Sequence, residues 1–347
     1  MGDQFPSYDR LVKISLAYTP TATRPRVKLS GVAAAGSPRD TFSASCGCEQ
    51  IAPKPSPPPP HSTELDSALK ELKDFPNREY YNAEKDSRAK ETYYKDVNWS
   101  ADPETLFRQL SEKTQRSHTT TMDYRPSKYL YPWIDLQPDG QLKSIYSGHT
   151  MAADKAIIED WRIGLNERTA MNALAFTRAA LSPEAAASAF AISEGLDALN
   201  CEHVVPQSWF GKSQPARGDL HHLFACESRC NSRRSNLPYD EIPEGRDDWR
   251  DDCGKIAGQS DGRRFEPVGG KGAAARATLY FLLRYPGVVD DYDARDIKTL
   301  LKWHDEFPVS LYEKHRNAAI EETQGNRNPL IDFPEKARQI DFAAGLK

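Results

Sequence analysis

The chain has 347 residues, of which 46 are Lys or Arg and 50 are Asp or Glu, so that its formal net charge is −4. This length suffices for one or two domains, whereas an apolar content of 38%, 25 prolines and a mean hydropathy of −0.70 indicate that part of the chain joins no core. The charge excludes a protein that is basic throughout, although a local basic groove is enough to bind nucleic-acid phosphates.

The amino-terminal sequence shows no recognisable targeting segment. MGDQFPSYDR lacks a basic stretch followed by an apolar one, and LVKISLAY is short and interrupted by a lysine. No other apolar run approaches the length that crosses a bilayer. We therefore expect no membrane partner, and a protein that is either cytoplasmic or exported by a non-classical route.

The first third of the chain divides into two parts by composition. Residues 1–62 form an irregular leader rich in Pro and Ser, whose final KPSPPPPHS favours a stiff polyproline II tether. Residues 63–125 indicate a helical extension, because the leucines of TELDSALKELKDF follow helical spacing. Either Ser100 or Asp102, before Pro103, is placed to cap a further helix through ETLFRQLSEK.

Residues 126–340 combine helical and strand-like sequence patterns. We predict that they form a mixed domain and that this is the catalytic domain. Pro-Asp-Gly between aromatic runs indicates a turn, and Ser182-Pro183-Glu184 offers a cap for a helix. Helical periodicity is clear in KAIIEDWRIGL, AMNALAFTRAAL, AAARATLYFLLRY and IKTLLKWHDEF, whereas LNCEHVV is typical of a strand. The predicted fold class is α+β, with a mainly helical domain.

The residues that carry chemistry are concentrated between Asn200 and Tyr239. Glu202 and His203 place a carboxylate beside an imidazole on the predicted strand, and histidines, arginines and asparagines follow. A phosphodiester hydrolase needs a base to activate water, a divalent cation, and positive groups for the phosphate oxygens. This stretch holds candidates for all three, although a Glu-His pair alone is more often an ordinary ion pair.

The blocks EHVVPQS, DLHHL and NSRRSNLP, followed by KGAAARA, WHDEFPV and QGNRNPLID in the same order, resemble the bacterial endonuclease I family. The resemblance covers about residues 126–335. It implies a ββα-metal (His-Me finger) core, in which a hairpin carries the histidine and the next helix supplies an asparagine. It also implies a metal-dependent endonuclease of DNA, with RNA as the alternative substrate and little sequence specificity.

The resemblance assigns roles to three residues, and the chemistry of the guanidinium group adds two arginines. His203 matches the general base, which suits a side chain whose free pKa lies near neutrality. Glu202 and Asn231 match the ligands of a single Mg²⁺, with Mn²⁺ or Ca²⁺ as alternatives, since such hard cations take oxygen ligands. Arg217 and Arg234 are the candidates for binding phosphate, because a guanidinium matches phosphate in a two-pronged geometry. Arg234 is preferred, since it lies within the motif.

Three further segments have predicted roles. His221 and His222 are expected to support the finger by hydrogen bonds, because nitrogen ligands are not those that Mg²⁺ prefers. Lys271 and Arg276 are expected to extend the DNA-facing surface. The segment Gly325–Pro329 is expected to form a tight turn that anchors the end of the chain.

Four of the six cysteines lie near the motifs, and their state is open at this point. Cys201, Cys226, Cys230 and Cys253 can be reduced buried thiols, a tetrahedral structural Zn²⁺ site, or disulfides. Cys226 and Cys230 are expected to share one face of a helix, at i and i+4. Helix geometry disfavours a disulfide between these two.

Two alternatives to a simple nuclease follow from the sequence. The leader and the missing targeting segment favour a delivered antibacterial or host-directed effector or toxin, for which an inhibitor or immunity protein is a candidate partner. A non-catalytic nucleic-acid-binding module is the other alternative. The intact set of Glu202, His203 and Asn231 argues against it.

Overall fold

The computed structural model describes residues 62–177, 199–242, 247–250 and 256–347. Three sequence predictions therefore lie outside the described residues: the leader up to residue 61, the helix after Ser182, and the state of Cys253. The predicted mixture of helices and strands is confirmed for the described part of the chain.

Helices account for most of the described residues. In chain order they are α1 (Thr63–Lys73), α2 (Ala83–Tyr93), α3 (Pro103–Ser117), α4 (Pro126–Tyr129), α5 (Ala153–Thr177), α6 (Ser228–Arg234), α7 (Lys271–Arg284), α8 (Ala294–Glu306), α9 (Leu311–Gln324) and α10 (Pro329–Asp332). Short 3₁₀ helices lie at Phe75–Asn77, Gln207–Phe210, Ala216–Gly218, Leu220–His222, Pro334–Gln339 and Phe342–Gly345. Over the described ranges, no helix combines the length and apolar character needed to cross a membrane.

The predicted starts and patterns of the helices agree with the structure. Asp102 caps α3, since its side chain accepts a hydrogen bond from the backbone N–H of Thr105 at 3.0 Å, and Pro103 occupies the first helical position. The periodic segments form α5, α7 and α8. At α8, Asp293 and Asp296 form a reciprocal capping box.

Strands form three small antiparallel sheets within the described residues. The strands are β1 (Leu142–Lys143), β2 (Thr150–Met151), β3 (Leu199–His203), β4 (Leu223–Glu227), β5 (Asp247–Arg250), β6 (Ile256–Ser260) and β7 (Phe265–Pro267). β1 pairs with β2, β3 with β4, and β6 lies between β5 and β7. The α6 helix begins directly after β4, so that two paired strands and a helix form one local unit.

The prediction that one helix carries both Cys226 and Cys230 is wrong. Cys226 lies on β4 and Cys230 on α6. All five residues of Leu223–Glu227 are buried, and they pair in register with β3, with Glu202 opposite Phe224. This long-range pairing determines the strand, and the local sequence pattern does not reveal it.

Two hydrophobic cores meet at the β3–β4 sheet. The first core contains side chains from α3, α6, α7 and α8, and the second contains side chains from α1, α4, α5 and α9. Successive side chains of a strand point to opposite faces. Accordingly Phe224 and Cys226 join the first core, whereas Leu223 and Ala225 join the second. The sheet that carries Glu202 is therefore held from both sides.

Residues before 126 pack into the same two cores as the rest of the described chain. Leu65 and Ala68 of α1 belong to the second core, and Leu106 and Leu110 of α3 belong to the first. The helices of the predicted extension thus share their hydrophobic contacts with the segment predicted to be catalytic.

A buried ion pair ties α9 to β4. Arg316 binds Asp135, and its Nη2 atom donates to the carbonyls of Leu220 and Leu223 at 3.0 and 2.7 Å. Asp135 in turn accepts a hydrogen bond from the backbone N–H of Ala225 at 2.7 Å. Because these groups satisfy one another away from water, they fix the position of β4 relative to the helices.

The predicted turn near the carboxyl end is confirmed. Gly325 has φ +95°, a left-handed conformation that glycine adopts without strain. Arg327 follows it and is fully buried. Its guanidinium donates to Asp332 and Asp86, both at 2.6 Å, so that the turn joins the end of the chain to α2.

Candidate active site

The five residues predicted to act together line one groove of about 870 Å³. Glu202 and His203 lie at the end of β3, Asn231 and Arg234 on α6, and Arg217 on the loop between β3 and β4. Thus the pairing of β3 with β4, followed at once by α6, brings together side chains that are up to 32 residues apart in sequence.

His203 is buried in the groove and oriented by the backbone. Its Nε2 atom lies 3.0 Å from the carbonyl oxygen of Arg217, and its ring lies 4.8 Å from the Tyr124 ring. Burial lowers the pKa of His203 well below its usual value, and neighbouring His222 lowers it further. The imidazole is therefore neutral at pH 7. Since Nε2–H donates to the carbonyl, Nδ1 is left as the proton acceptor.

Glu202 is held by two tyrosines and an arginine. The Tyr146 hydroxyl donates to Oε1 of Glu202 at 2.5 Å, and it lies 2.5 Å from the Tyr239 hydroxyl. Because Tyr146 has a single proton, which goes to the carboxylate, Tyr239 donates to Tyr146. The Nε atom of Arg234 lies 3.3 Å from the same Oε1. Burial raises the pKa of Glu202, against the lowering effect of Arg234.

Arg234 is enclosed behind the carboxylate. Its side chain is 1% exposed; Nη2 donates to the Val204 carbonyl at 2.6 Å and Nη1 to the Ser235 carbonyl at 3.0 Å. The guanidinium also lies 4.8 Å from the Tyr239 ring centre. These contacts orient Glu202 and join α6 to β3. The phosphate-binding role of Arg234 stays a prediction, and its contacts favour a positioning role.

Arg217 is the more accessible of the two arginines. It is half-buried; its Nε donates to the Gln207 side chain at 3.1 Å, and its guanidinium lies 5.3 Å from the Tyr124 ring centre. Its backbone carbonyl orients His203, as described above. The guanidinium therefore lies beside the imidazole on the groove wall, where a phosphate can reach it.

The oxygen donors of the groove fit a hard divalent cation. Asn231 donates from Nδ2 to the Cys201 carbonyl at 3.3 Å, so that Oδ1 is its remaining polar atom. Glu202 engages Tyr146 and Arg234 through Oε1, which leaves Oε2. Within the described ranges, no three His, Cys, Asp or Glu side chains surround a point that can hold a metal. One carboxylate and one amide suit Mg²⁺, which keeps several waters and binds through few protein ligands.

His221 and His222 have the supporting role that the sequence predicts. Both are buried, with Nε2 of His222 2.7 Å from the Ala216 carbonyl and Nε2 of His221 3.2 Å from the Asn326 carbonyl. The first of these bonds fixes the loop that precedes β4. The second joins that loop to the carboxyl-terminal turn.

Asp219 is the centre of the hydrogen bonds behind this loop. Its carboxylate accepts from the Tyr280 and Tyr285 hydroxyls at 2.8 and 2.9 Å and from Gln324 at 2.9 Å. Burial alone raises its pKa, but the neighbouring histidines His221, His118 and His222 and the hydrogen bond from Gln324 outweigh burial and hold the pKa well below its usual range. The carboxylate therefore stays ionised throughout the neutral range.

We expect the free energy of unfolding to decrease as the pH falls from about 6.5 towards 4. Burial lowers the pKa of His221 from 6.5 to about 4, against the opposing effect of Asp219, while His118 and Arg327 lower it further. Between these values the unfolded chain binds more protons than the folded one, so that acid favours unfolding. The buried imidazole can contribute about 3 kcal/mol to this loss.

Urea unfolding at pH 7.0, 5.5 and 4.5 measures the effect. His221→Gln should make the dependence on pH shallower, since this side chain no longer titrates. An unfolding free energy that is the same at all three values contradicts the prediction.

The three cysteines that the structure describes do not lie together, as the four-thiolate zinc site considered above would require. Cys201 belongs to the second core, whereas Cys226 and Cys230 belong to the first, on the other face of the β3–β4 sheet. A single tetrahedral ion needs all its ligands within bonding distance, so that these three cannot share one. They are not joined to one another by disulfides. Burial raises the pKa of the Cys226 thiol well above its usual value.

The prediction that Lys271 and Arg276 extend a DNA-facing surface is wrong for Arg276. Arg276 is 2% exposed, and its Nε donates to Glu313 at 2.6 Å. Lys271 is bound to Glu266 at 2.6 Å, and neither cation lines the groove. Basic residues at a helix start do not reveal whether their charge is already neutralised inside the protein.

Three tyrosines of the site were not predicted from the sequence. Tyr146 donates to Glu202, Tyr239 is hydrogen-bonded to Tyr146, and Tyr124 packs against His203. Tyr239 ends the motif region, which is a weak signal. Tyr146 and Tyr124 lie 56 and 79 residues from the side chains they contact, so that local pattern carries no signal for them.

A buried base beside a carboxylate and an amide oxygen, in a groove that also holds cations, is typical of metal-assisted hydrolases. The chain belongs to the Endonuclease I family, whose sequence profile matches residues 106–335. This confirms the family that the motifs indicate. The chain therefore belongs to a family of nucleases.

The chain is similar to nucleases of both DNA and RNA. The extracellular ribonuclease of Bacillus amyloliquefaciens is 35% identical over 163 residues, which cover 41% of this chain and 53% of that protein. An extracellular deoxyribonuclease of Aeromonas hydrophila is 29% identical over 160 residues, covering 40% and 67%. A periplasmic deoxyribonuclease of the same species is 30% identical over 153 residues, covering 39% and 63%. The chain spans about half the length of the Bacillus relatives that it matches.

The location predicted from the amino-terminal sequence is wrong. These relatives are named extracellular or periplasmic nucleases, which suggests secretion and contradicts the predicted location. The prediction relied on a recognisable targeting segment being missing, and such an absence does not decide where a protein is delivered.

Proposed function

We propose that this protein is a divalent-metal-dependent endonuclease that hydrolyses phosphodiester bonds of DNA, with RNA as the alternative substrate. The observation that carries the proposal is the neutral, backbone-oriented His203 in the same groove as the oxygen donors of Glu202 and Asn231. The β3–β4–α6 unit supports a ββα-metal (His-Me finger) core, because it places the histidine on the paired strands and the asparagine on the next helix.

In this proposal the side chains have distinct roles in hydrolysis. His203 accepts a proton at Nδ1 from the attacking water, while the Arg217 carbonyl holds its Nε2–H and stabilises the imidazolium that forms. The Arg217 guanidinium binds a phosphate oxygen. Glu202 and Asn231 hold the cation, which when bound neutralises charge on the scissile phosphate and the leaving oxygen.

Little sequence preference is expected from this site. The cations and donors that line the groove suit contacts to the phosphate backbone, and such contacts position a nucleic acid without reading its bases. The named relatives include both ribonucleases and deoxyribonucleases, so that the choice between the two polymers is a question for experiment.

Cleavage of a closed circular plasmid tests the proposal, because only an endonuclease can open a closed circle. With Mg²⁺ the purified protein should nick and linearise the plasmid, and EDTA should stop this. Parallel reactions with single-stranded DNA and with RNA rank the substrates. Failure to cleave any of the three in Mg²⁺ or Mn²⁺ contradicts the proposal.

We expect Tyr146→Phe to lower the cleavage rate by about 10–100-fold, the range found for residues that orient metal ligands. The substitution removes the hydroxyl that donates to Oε1 of Glu202 and leaves the Tyr239 hydroxyl without its acceptor. The free energy of unfolding should fall by about 1–3 kcal/mol, since buried polar groups lose a partner. Initial rates and urea unfolding measure the two effects.

Tyr239→Phe is the matched control, because it removes a hydroxyl from the same network but keeps the bond from Tyr146 to Glu202. Its effect on the rate should be the smaller of the two. Equal rates for Tyr146→Phe and wild type contradict the positioning role of Tyr146.

A further inference from the structure

A cationic pair continues the groove beyond the site described above. Arg125 and Lys128 line the same groove as His203, and Arg125 directly follows Tyr124, whose ring packs against the His203 ring. Their side chains remain 34% and 40% exposed. A nucleic-acid strand bound with one phosphate at His203 therefore has two further cations beside it on the groove wall.

An acidic side chain from outside the family-matched region already binds both cations. The Oε1 atom of Glu64 lies 2.7 Å from Nη1 of Arg125 and 3.7 Å from Nζ of Lys128. One oxygen thus contacts a guanidinium and an ammonium together, as a phosphate oxygen would. Glu64 is in the first turn of α1, whereas the family profile begins at residue 106.

The α1 helix is fixed against the groove and is not a loose tail. Leu65 and Ala68 lie three residues apart on this helix. Both are buried in the second core, and both also line the groove. Glu64 itself is 42% exposed. An ion pair so exposed to water is weak, so that a polyanion can displace the carboxylate while α1 stays in place.

We propose that Arg125 and Lys128 form a phosphate subsite for the nucleic-acid backbone beside the scissile phosphate, and that Glu64 occupies this subsite when no substrate is bound. This rests on the proposed function for its ligand. Glu64 acts as an internal competitor, because its carboxylate must leave both cations before a phosphate can bind them. The α1 helix therefore sets the affinity for polyanions, a property that the family-matched segment alone does not contain.

Binding of a fluorescein-labelled DNA duplex in EDTA, measured by anisotropy, tests the subsite without cleavage. Glu64→Gln should tighten binding several-fold, since it frees both cations. The double variant Arg125→Gln/Lys128→Gln should weaken binding roughly 10-fold. It should also reduce the slope of log affinity against log salt by about 1 for each cation.

Two variants with the same charge changes serve as controls. Glu322→Gln removes the acid of an exposed pair with Lys85, 2.6 Å apart. Lys85→Gln/Arg116→Gln removes two cations that do not line the groove. Both should bind within about 2-fold of wild type, because neither removes a charge that lines the groove. Circular dichroism checks that each variant is folded.

The outcomes separate the subsite from the nuclease activity. If the groove variants bind no differently from their controls, the subsite is overturned, even when wild type cleaves plasmid in Mg²⁺. If Glu64→Gln weakens binding, the competitor role is overturned. If the groove variants behave as predicted but no nucleic acid is cleaved, the subsite stands and the proposed function fails.

Discussion

His203→Ala is expected to lower the rate of plasmid cleavage by about 10²–10⁴-fold, the range that a positioned general base contributes. The imidazole is neutral because burial lowers its pKa, and the Arg217 carbonyl binds Nε2, which leaves Nδ1 as the proton acceptor of the ring. Alanine removes that acceptor while leaving Glu202 and Asn231 in place. Binding of the duplex in EDTA should change little, so that the loss lies in the chemical step.

His304→Ala provides the matched control. His304 is also a buried histidine, 3% exposed, whose Nε2 lies 2.8 Å from a backbone carbonyl, that of Pro334, but it does not line the groove. Its loss should reduce stability without changing the rate per folded molecule. An active His203→Ala enzyme, or equal losses in both variants, contradicts the assignment of the base.

Glu202→Gln is expected to have the second-largest effect, a loss of divalent-cation affinity of about 100-fold or more. Residues that only orient a ligand cost 10–100-fold, and in the proposed site Glu202 would supply the charged oxygen itself. Calorimetric titration with Mn²⁺ measures the affinity directly, and cleavage against Mg²⁺ concentration should show the same shift.

The substitution also removes the negative charge that pairs with Arg234, whose Nε atom lies 3.3 Å from Oε1 of Glu202. Breaking a buried pair destabilises by about 3–5 kcal/mol, so that a thermal melt must accompany the titration. Asn231→Ala keeps this pair and tests the other ligand. If both variants remain folded and bind Mn²⁺ as wild type does, the two residues are not the ligands.

The sequence predicts well where local chemistry is decisive. The cap at Asp102, the periodic helices α5, α7 and α8, and the strand β3 all follow from residue spacing. The resemblance to endonuclease I adds what spacing cannot supply, namely that His203 and Asn231 share one groove. No local pattern connects residues so far apart.

The predictions that failed, and the contacts that the sequence did not predict, depend on long-range interactions. Leu223–Glu227 becomes a strand because β3 lies beside it, and Arg276 is neutralised by Glu313 on another helix. Tyr146 reaches Glu202 from the loop between β1 and β2, and Glu64 reaches Arg125 from α1. In each case the partner is distant in sequence, so that only the folded chain reveals the interaction.

The most direct measurement is single-turnover cleavage of a labelled DNA duplex, with wild type and His203→Ala purified in parallel and each present in excess over substrate. We predict cleavage by wild type that stops with EDTA, resumes when Mg²⁺ is restored, and is about 10²–10⁴-fold slower in His203→Ala. Cleavage by wild type that persists in EDTA, or a variant as fast as wild type, contradicts a metal-dependent nuclease based on His203.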